Sequence, residues 1–483
     1  CKMEHERTNR WTMGLPEAIG VAVVVLLFVT SVRSVPFYYD DYPHFVENPR
    51  IARAATLADI FQSGTQETRP LYNLSLALQA KLFGMGPVAA HAINFGLFLL
   101  CGAALWALLL SLGQGRLVAG LATLIFWIHP VALETVLYAN SRSGLLAMAL
   151  TLLALIALGK SAILCALGLV LAMLSKEDAA GSVLVSLWFL ACQGKSEKRL
   201  KSAMILGAAW VVLPLLYLSF RSPHVESIGG SVDAPLHYLW FQGINLPLHL
   251  SMFAAPWPLG VNRDLPDWMM SPWVWSLGWL ALLACGAAVI RYRRTWIGFA
   301  MGWMVLALLP THSWVPMLDV QASRVWFMAL PAASLALALV LGSAIQIEAR
   351  WGTRATLAFL ILLATLNMRE QAIWRAPGAF WEKNARLAPS RWRSWTNLAI
   401  EYGERGDWQN ARSAIERAAA LAPHESGVIY NRAAVAYGSG ERGPWIEESL
   451  EGLLETHPEH ARARALRDRL RGGKPVNEKL RSR

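Results

Sequence analysis

Apolar runs of about 20 residues, separated by short polar segments, recur along the chain from Gly14 to about Met368. A run of that length is what an α-helix needs to cross a hydrocarbon core of roughly 30 Å. Past Arg369 the pattern changes: apolar residues fall at helical spacing among many charged ones, as in a soluble helical domain. The pattern therefore predicts an all-α protein, with a polytopic membrane domain over residues 1–368 and a second helical domain over 369–483. About eleven spans fit it, with an inside N-terminus and an outside C-terminus. The run Pro235–Ala255 is set apart, because counting it as a span would carry "RYRR" to the outside; it is expected as an interfacial or re-entrant helix.

Composition sharpens this picture. Of 483 residues, 55% are hydrophobic and only 16% charged, well below the roughly 25% of ordinary globular domains. The formal charge of +11 would suit a nucleic-acid partner if it were clustered on one face. Instead the basic residues lie in the N-terminal segment, in the loops Gly113–Arg116, Gly159–Ser161, Gln193–Lys201, Arg291–Arg294 and Glu348–Arg354, and in the tail. Placing those loops on the cytoplasmic side sets the topology, and no nucleic-acid partner is expected. The first apolar run reads as a retained helix, since "SVRSVP" is a poor cleavage site. Cys101, Cys165, Cys192 and Cys285 fall inside apolar runs without CxxC spacing, so neither a disulfide framework nor a metal knuckle is indicated.

This topology leaves six segments outside: 36–87, 129–143, 175–178, 221–272, 311–324 and everything after residue 369. They hold nearly all the polar residues that packing does not explain: Asp40, Asp41, Arg69, His91, His129, Glu134, Arg142, Lys176, Glu177, Asp178, Arg221, Arg263, Asp264, Asp319 and Arg324. Ionisable groups near membrane depth are costly and mark functional candidates. For each there is a plainer reading. The two aspartates could form a solvated turn, Arg69 could anchor a helix at the headgroups, and Glu134 could bind a cation or pair with Arg142. His91 and His129 lack metal-ligand spacing and read as packed, hydrogen-bonded histidines. Lys176-Glu177-Asp178 could be a helix end with a cap, and the Trp-rich Pro266–Trp279 an interfacial belt.

The tail carries an internal repeat. "WTNLAIEYGERGDWQNARSAIERAAALAP" sets Trp395, Leu398 and Tyr402 on one helix, a turn at Gly406, then Ala411, Ile415 and Ala418 on a second. Pro389 and Pro423 lie 34 residues apart, which is the tetratricopeptide period. Tyr430, Ala433 and Tyr437 begin the next unit, closed by Pro458. Such arrays expose a concave groove suited to polypeptides.

The external motifs follow a recognisable order: "FYYDDYPHFVENP", "RPLYNLSLAL", "AAHAINFGL", "HPVALETVLYANSRSGLLA", "LSKEDAA", "APWPLGVNRD" and "LPTHSWVPMLDVQASRVWFMALP", followed by the repeats. Together they resemble the transmembrane and tetratricopeptide-repeat O-mannosyltransferases, C-type (GT-C) glycosyltransferases that use lipid donors. The resemblance implies a polyprenyl-phosphate sugar as donor, mannose or similar, and makes Asp40 and Asp41 the acidic pair that holds the catalytic base. In the last external loop, where that family tends to carry Glu-Arg before an aromatic residue, this chain has Ser323-Arg324-Val325-Trp326. Its lean loops look bacterial, which puts it in an inner membrane with the repeats in the periplasm.

The chemistry of the residues agrees with such a reaction. Transfer from a lipid phosphate needs a base for the acceptor hydroxyl and positive charge on the departing phosphate. Asp40 and Asp41 supply the base, or one of them, with Glu134, holds a divalent cation such as Mg or Mn. Arg142, Lys176, Arg221 and Arg324 are the cations available for the donor phosphate, guanidinium forks suiting its oxygens. Arg69, His91, His129, Glu134, Glu177, Arg263 and Asp264 support the substrates. The expected partners are the lipid-linked donor, membrane lipids and an exported acceptor protein held by the repeats. The alternatives are a glycolipid or polysaccharide acceptor, and a non-enzymatic transporter or scaffold whose repeats recruit a partner; transporters usually carry inverted repeats and midplane charges.

Overall fold

A computed structural model describes residues 14–54, 56, 59–60, 69–193, 197–220, 235–256, 258–312 and 321–472. The described residues are helical throughout their regular structure, with no strand among them. Arg221 and Asp319 lie outside the described residues. Prolines open many of the helices, at Pro49, Pro70, Pro87, Pro235, Pro272, Pro377 and Pro444. The first helical turn has no use for the missing N–H, and the fixed φ of proline is already helical.

The chain divides into two compact units, residues 1–261 with 265–372, and residues 262–264 with 373–483. Among the described residues of the first, the last helix running three residues past its boundary, six helices are long and apolar enough to cross a membrane: Glu17–Ser34, Pro87–Ser111, Ala139–Leu158, Pro272–Arg291, Leu330–Ile347 and Ala349–Arg375. A seventh arises if Arg116–Ile128 and Pro130–Leu137, bent by 52° at their break, are one span. The cause of the bend is local: Pro130 cannot continue the hydrogen-bond ladder, and the preceding His129 is driven to extended backbone at ψ 126°. Ala162–Ser175 and Trp296–Leu308 are apolar but shorter. These are the features of a multi-pass membrane protein.

Close approach in this unit depends on small residues set opposite large ones. A Cβ on Gly102 would lie 2.2 Å from the Trp127 indole, and one on Gly302 2.2 Å from that of Trp188. Gly243 and Gly278 face each other backbone to backbone, which brings Pro235–Ala254 and Pro272–Arg291 into direct contact. A layer of rings, Phe28, Phe98, Phe126 and Phe327, fills the interior beside the bend. Helix Pro272–Arg291 shows Leu277, Leu280, Leu283 and Ile290 on its outer face, as a lipid-facing helix does.

The second unit is a run of short helices, Pro377–Leu387, Trp392–Glu404, Trp408–Leu421, Ser426–Gly438, Pro444–Thr456 and Ala461–Leu470, in which consecutive helices pack on one another. Buried alanines, among them Ala399, Ala411, Ala414, Ala418 and Ala433, keep the helices close. Gly406, at φ +76°, makes the tight turn between the second and third, a conformation other residues adopt at a cost. Asp264 belongs here: its carboxylate accepts the Ser390 N–H at 2.8 Å and the Ser390 hydroxyl at 2.7 Å.

Candidate functional site

The first apolar helix ends at Ser34, and the chain leaves it through an extended Val35 into a core of Phe37 and Tyr38. Tyr39 then turns it sharply at φ +43°, left-handed backbone that a bulky residue adopts at a cost of roughly 1–2 kcal/mol. That turn sends the two neighbouring aspartates to different places. Asp40 is exposed, whereas Asp41 is fully buried.

Asp41 is held by backbone. Its Oδ2 accepts the Tyr38 N–H at 3.0 Å and its Oδ1 the Asn140 N–H at 2.7 Å. Burial outweighs these donors and pushes its carboxyl up to about 8, so at neutral pH it is largely the uncharged acid. A second negative charge beside Asp40 is thereby avoided, and two adjacent carboxyls acquire separate roles from separate surroundings.

Asp40 is held by Tyr138, whose hydroxyl donates to Asp40 Oδ2 at 3.0 Å and accepts the Asp40 N–H at 3.1 Å. The same ring lies under the Arg324 guanidinium, whose centre is 5.8 Å from the ring centroid. Arg324 is fixed from its other side by Glu134, a carboxylate only 2% exposed that accepts the Arg324 guanidinium at 2.5 Å, the Arg324 N–H at 2.9 Å and the Ser323 hydroxyl at 2.6 Å. An exposed carboxylate and a part-exposed guanidinium thus share one aromatic support, although 98 residues separate Asp40 from Tyr138 and 190 separate Glu134 from Arg324. Such a pair can take a proton at one end and hold an anion at the other.

The support beneath is made of neutral amides. Asn94 Nδ2 donates to the carbonyls of Tyr138 and Ala139, at 3.4 and 3.3 Å, and its Oδ1 accepts Arg142 Nε at 2.9 Å. The Tyr72 hydroxyl donates to Asn140 Oδ1 at 2.6 Å, fixing the residue whose N–H holds Asp41. Arg142, expected at the donor phosphate, is fully buried, with its guanidinium donating to Asn94, to Gln79 Oε1 at 2.5 Å and to the Ala90 carbonyl at 3.3 Å. Its place is under the site, and of the two readings open for Glu134, a cation or Arg142 as partner, the structure shows neither: its partner is Arg324.

The other candidates form pairs nearby or lie elsewhere. Arg69 donates twice to Glu177, at 2.8 and 2.5 Å, and Lys176 pairs with Asp178 at 2.5 Å. Burial of His44, between the fields of Asp40 and Arg69, pushes its imidazole down to about 4, so it is neutral at pH 7. His91 is buried against the Phe37 ring. His129 caps the Pro130–Ala132 turn through Nδ1 on the Val131 N–H, sets Nε2 3.0 Å from the Phe253 carbonyl and stacks on the Phe253 ring. Arg263 is exposed and belongs, like Asp264, to the second unit.

Asp41 and Glu134 do not fit the alternative reading in which they hold a divalent cation. Asp41 spends both oxygens on backbone N–H groups and Glu134 both oxygens on Ser323 and Arg324. Among the described residues no three His, Cys, Asp or Glu side chains converge as a metal site. Tyr138, Asn140 and Asn94 are residues of this arrangement that the sequence does not single out. Their signal was weak, a few polar residues inside otherwise apolar motifs. No family model, no curated protein and no solved structure matches the chain.

Proposed function

We propose that the protein is a membrane glycosyltransferase that moves a sugar, mannose or similar, from a polyprenyl-phosphate donor to a hydroxyl of an exported protein. The observation that carries this reading is the joint seating of Asp40 and Arg324 on Tyr138. In the proposed reaction Asp40 takes the proton of the acceptor hydroxyl as its oxygen bonds to the anomeric carbon. The bond from that carbon to the phosphate oxygen breaks, and the polyprenyl phosphate leaves with the electron pair, its growing charge met by Arg324. Lys176 and Arg69, each already paired with an acid, are further cations for the donor. Asp41 acts as the buried orienter of the loop, which divides between the two aspartates the roles that were open for both.

The proposal includes the rest of the expected architecture. The bent pair, the shorter Ala162–Ser175 and Trp296–Leu308, and the helices Gly181–Cys192 and Glu197–Phe220 join the six long ones to give about eleven spans of a C-type bundle in a bacterial inner membrane, with the basic loops cytoplasmic. The helices of residues 373–483 form a tetratricopeptide-like array in the periplasm that presents the acceptor. The 34-residue spacing of Pro389 and Pro423, together with the buried alanine seams, supports that assignment. Intact mass spectrometry of exported proteins from wild-type and deletion strains tests it: loss of a hexose-sized mass from at least one protein is expected, and identical masses throughout would overturn the transferase reading.

A further inference from the structure

The loop that brings Arg324 to Tyr138 rests on a buried polar network that the proposed chemistry does not use. Gln321 Nε2 donates to Asn245 Oδ1, and Asn245 Nδ2 donates in turn to Gln242 Oε1 at 2.8 Å. One turn further along helix Pro235–Ala254, the His249 carbonyl accepts the indole N–H of Trp326. The His249 ring sets Nδ1 3.1 Å from Nε2 of His312, whose Nδ1 lies 3.0 Å from both the Leu308 carbonyl and the Thr311 hydroxyl. Gln242, Asn245, His249, His312, Gln321 and Trp326 are each no more than 5% exposed.

Stability alone is a poor reason for such a network in an apolar bundle. A satisfied amide pair gains little over well-packed apolar residues of the same volume, while a half-satisfied one costs roughly 1–3 kcal/mol. What the network does achieve is placement. Gln242, Asn245 and His249 recur at spacings of three and four along one helix, so they share a face. On that face Asn245 takes Gln321 and His249 takes Trp326, the two residues that bracket Ser323 and Arg324. Glu134 holds Ser323 and Arg324 from the opposite side. The segment is therefore clamped at four points, with the guanidinium between the clamps.

We propose that Asn245 and Gln321, backed by the His249–His312 pair, are positioning residues that set where Arg324 lies over Tyr138 and hence how well it meets the departing phosphate. This rests on the transferase reading and deepens it: the helix Pro235–Ala254 has a part in the reaction through Arg324, without touching the substrates.

The test uses the full-length protein in detergent or nanodiscs, polyprenyl-phosphate mannose and a serine/threonine peptide. Displacing a reacting group by about 1 Å costs up to ~10²-fold in rate. Asn245→Leu and Gln321→Leu should each lower kcat about 10- to 100-fold with KM for the peptide little changed. The double variant should be no worse than the poorer single one, because the two act through one contact. In an Arg324→Lys background Asn245→Leu should add almost nothing, a non-additivity that a merely structural role would not produce. Trp326→Phe, which removes the indole N–H with the five-membered ring that carries it but keeps an aromatic ring in place, should show the same pattern if the leucine variants fail to fold. Wild-type kcat in these variants, or losses that multiply with that of Arg324→Lys, overturns the inference alone, provided Asp40→Asn is inactive. A wild-type protein that transfers nothing, or an Asp40→Asn variant that transfers normally, overturns the reading and the inference together.

Discussion

Replacing Asp41 with Asn should make the stability of the protein less sensitive to alkali, and the size of the change follows from its site. The carboxyl is fully buried and pushed from 3.8 up to about 8. In the unfolded chain it ionises near its ordinary value. Between the two values the unfolded state has released the proton and the folded state has kept it, so folding takes up a proton and each unit of rising pH weakens the fold by about 1.4 kcal/mol. The contribution of the protonated group is complete below pH 4 and is lost as pH rises through about 8. Across that window the shift of about 4 units amounts to roughly 6 kcal/mol, an order-of-magnitude figure. Asn cannot ionise, but its amide meets one of the two backbone N–H donors with an NH₂, a mismatch of roughly 1–3 kcal/mol at every pH. Melting curves of wild type and Asp41→Asn in nanodiscs should therefore cross. The wild type should melt higher at pH 4, before the loss begins to exceed the cost of the amide mismatch, and the variant higher at pH 8. A difference in melting temperature that stays constant from pH 4 to pH 8 would refute a carboxyl held neutral by burial.

Three further outcomes follow from the same geometry. Glu134→Gln keeps one acceptor oxygen for three donors, so melting should fall by the equivalent of roughly 1–3 kcal/mol and transfer should fall with it; unchanged transfer would separate Glu134 from Arg324. Tyr138→Phe leaves the ring under Arg324 but removes the hydroxyl from Asp40, and it should lower kcat about 10-fold or more while stability changes by ~1 kcal/mol, read by steady-state kinetics beside calorimetry. A reporter active only outside the cytoplasm, fused after Arg483, should be active; activity of a cytoplasm-only reporter there would invert the topology and the side on which Asp40 lies.

The sequence and the structure agree most where the information is local. Apolar runs, and prolines such as Pro87 and Pro272 at helix starts, mark the long helices directly, because both act within one turn of the chain. The aspartate pair is a different matter. Adjacent acids read alike in a sequence, and what separates them is the positive φ at Tyr39 and the Asn140 N–H 99 residues away. Arg142 and Arg324 likewise appear as equivalent external cations. One is buried among Asn94, Gln79 and Ala90, and the other is carried to Tyr138 by a carboxylate 190 residues distant. The Asn245–Gln321 and His249–His312 contacts could not be anticipated either, since isolated amides and imidazoles in apolar runs carry no spacing that names their partner.

The central claim is that Asp40 takes the acceptor's proton, and Asp40→Asn tests it most directly because the change keeps the shape of the side chain and can keep the Tyr138 contact. Polyprenyl-phosphate mannose and a serine/threonine peptide, followed by release of polyprenyl phosphate from purified wild-type and variant protein, give the rate. Losing a general base lowers turnover by ~10²–10⁴-fold. The account predicts a loss of that size in a variant that inserts, melts and binds donor as the wild type does; turnover within a few-fold of wild type would contradict it.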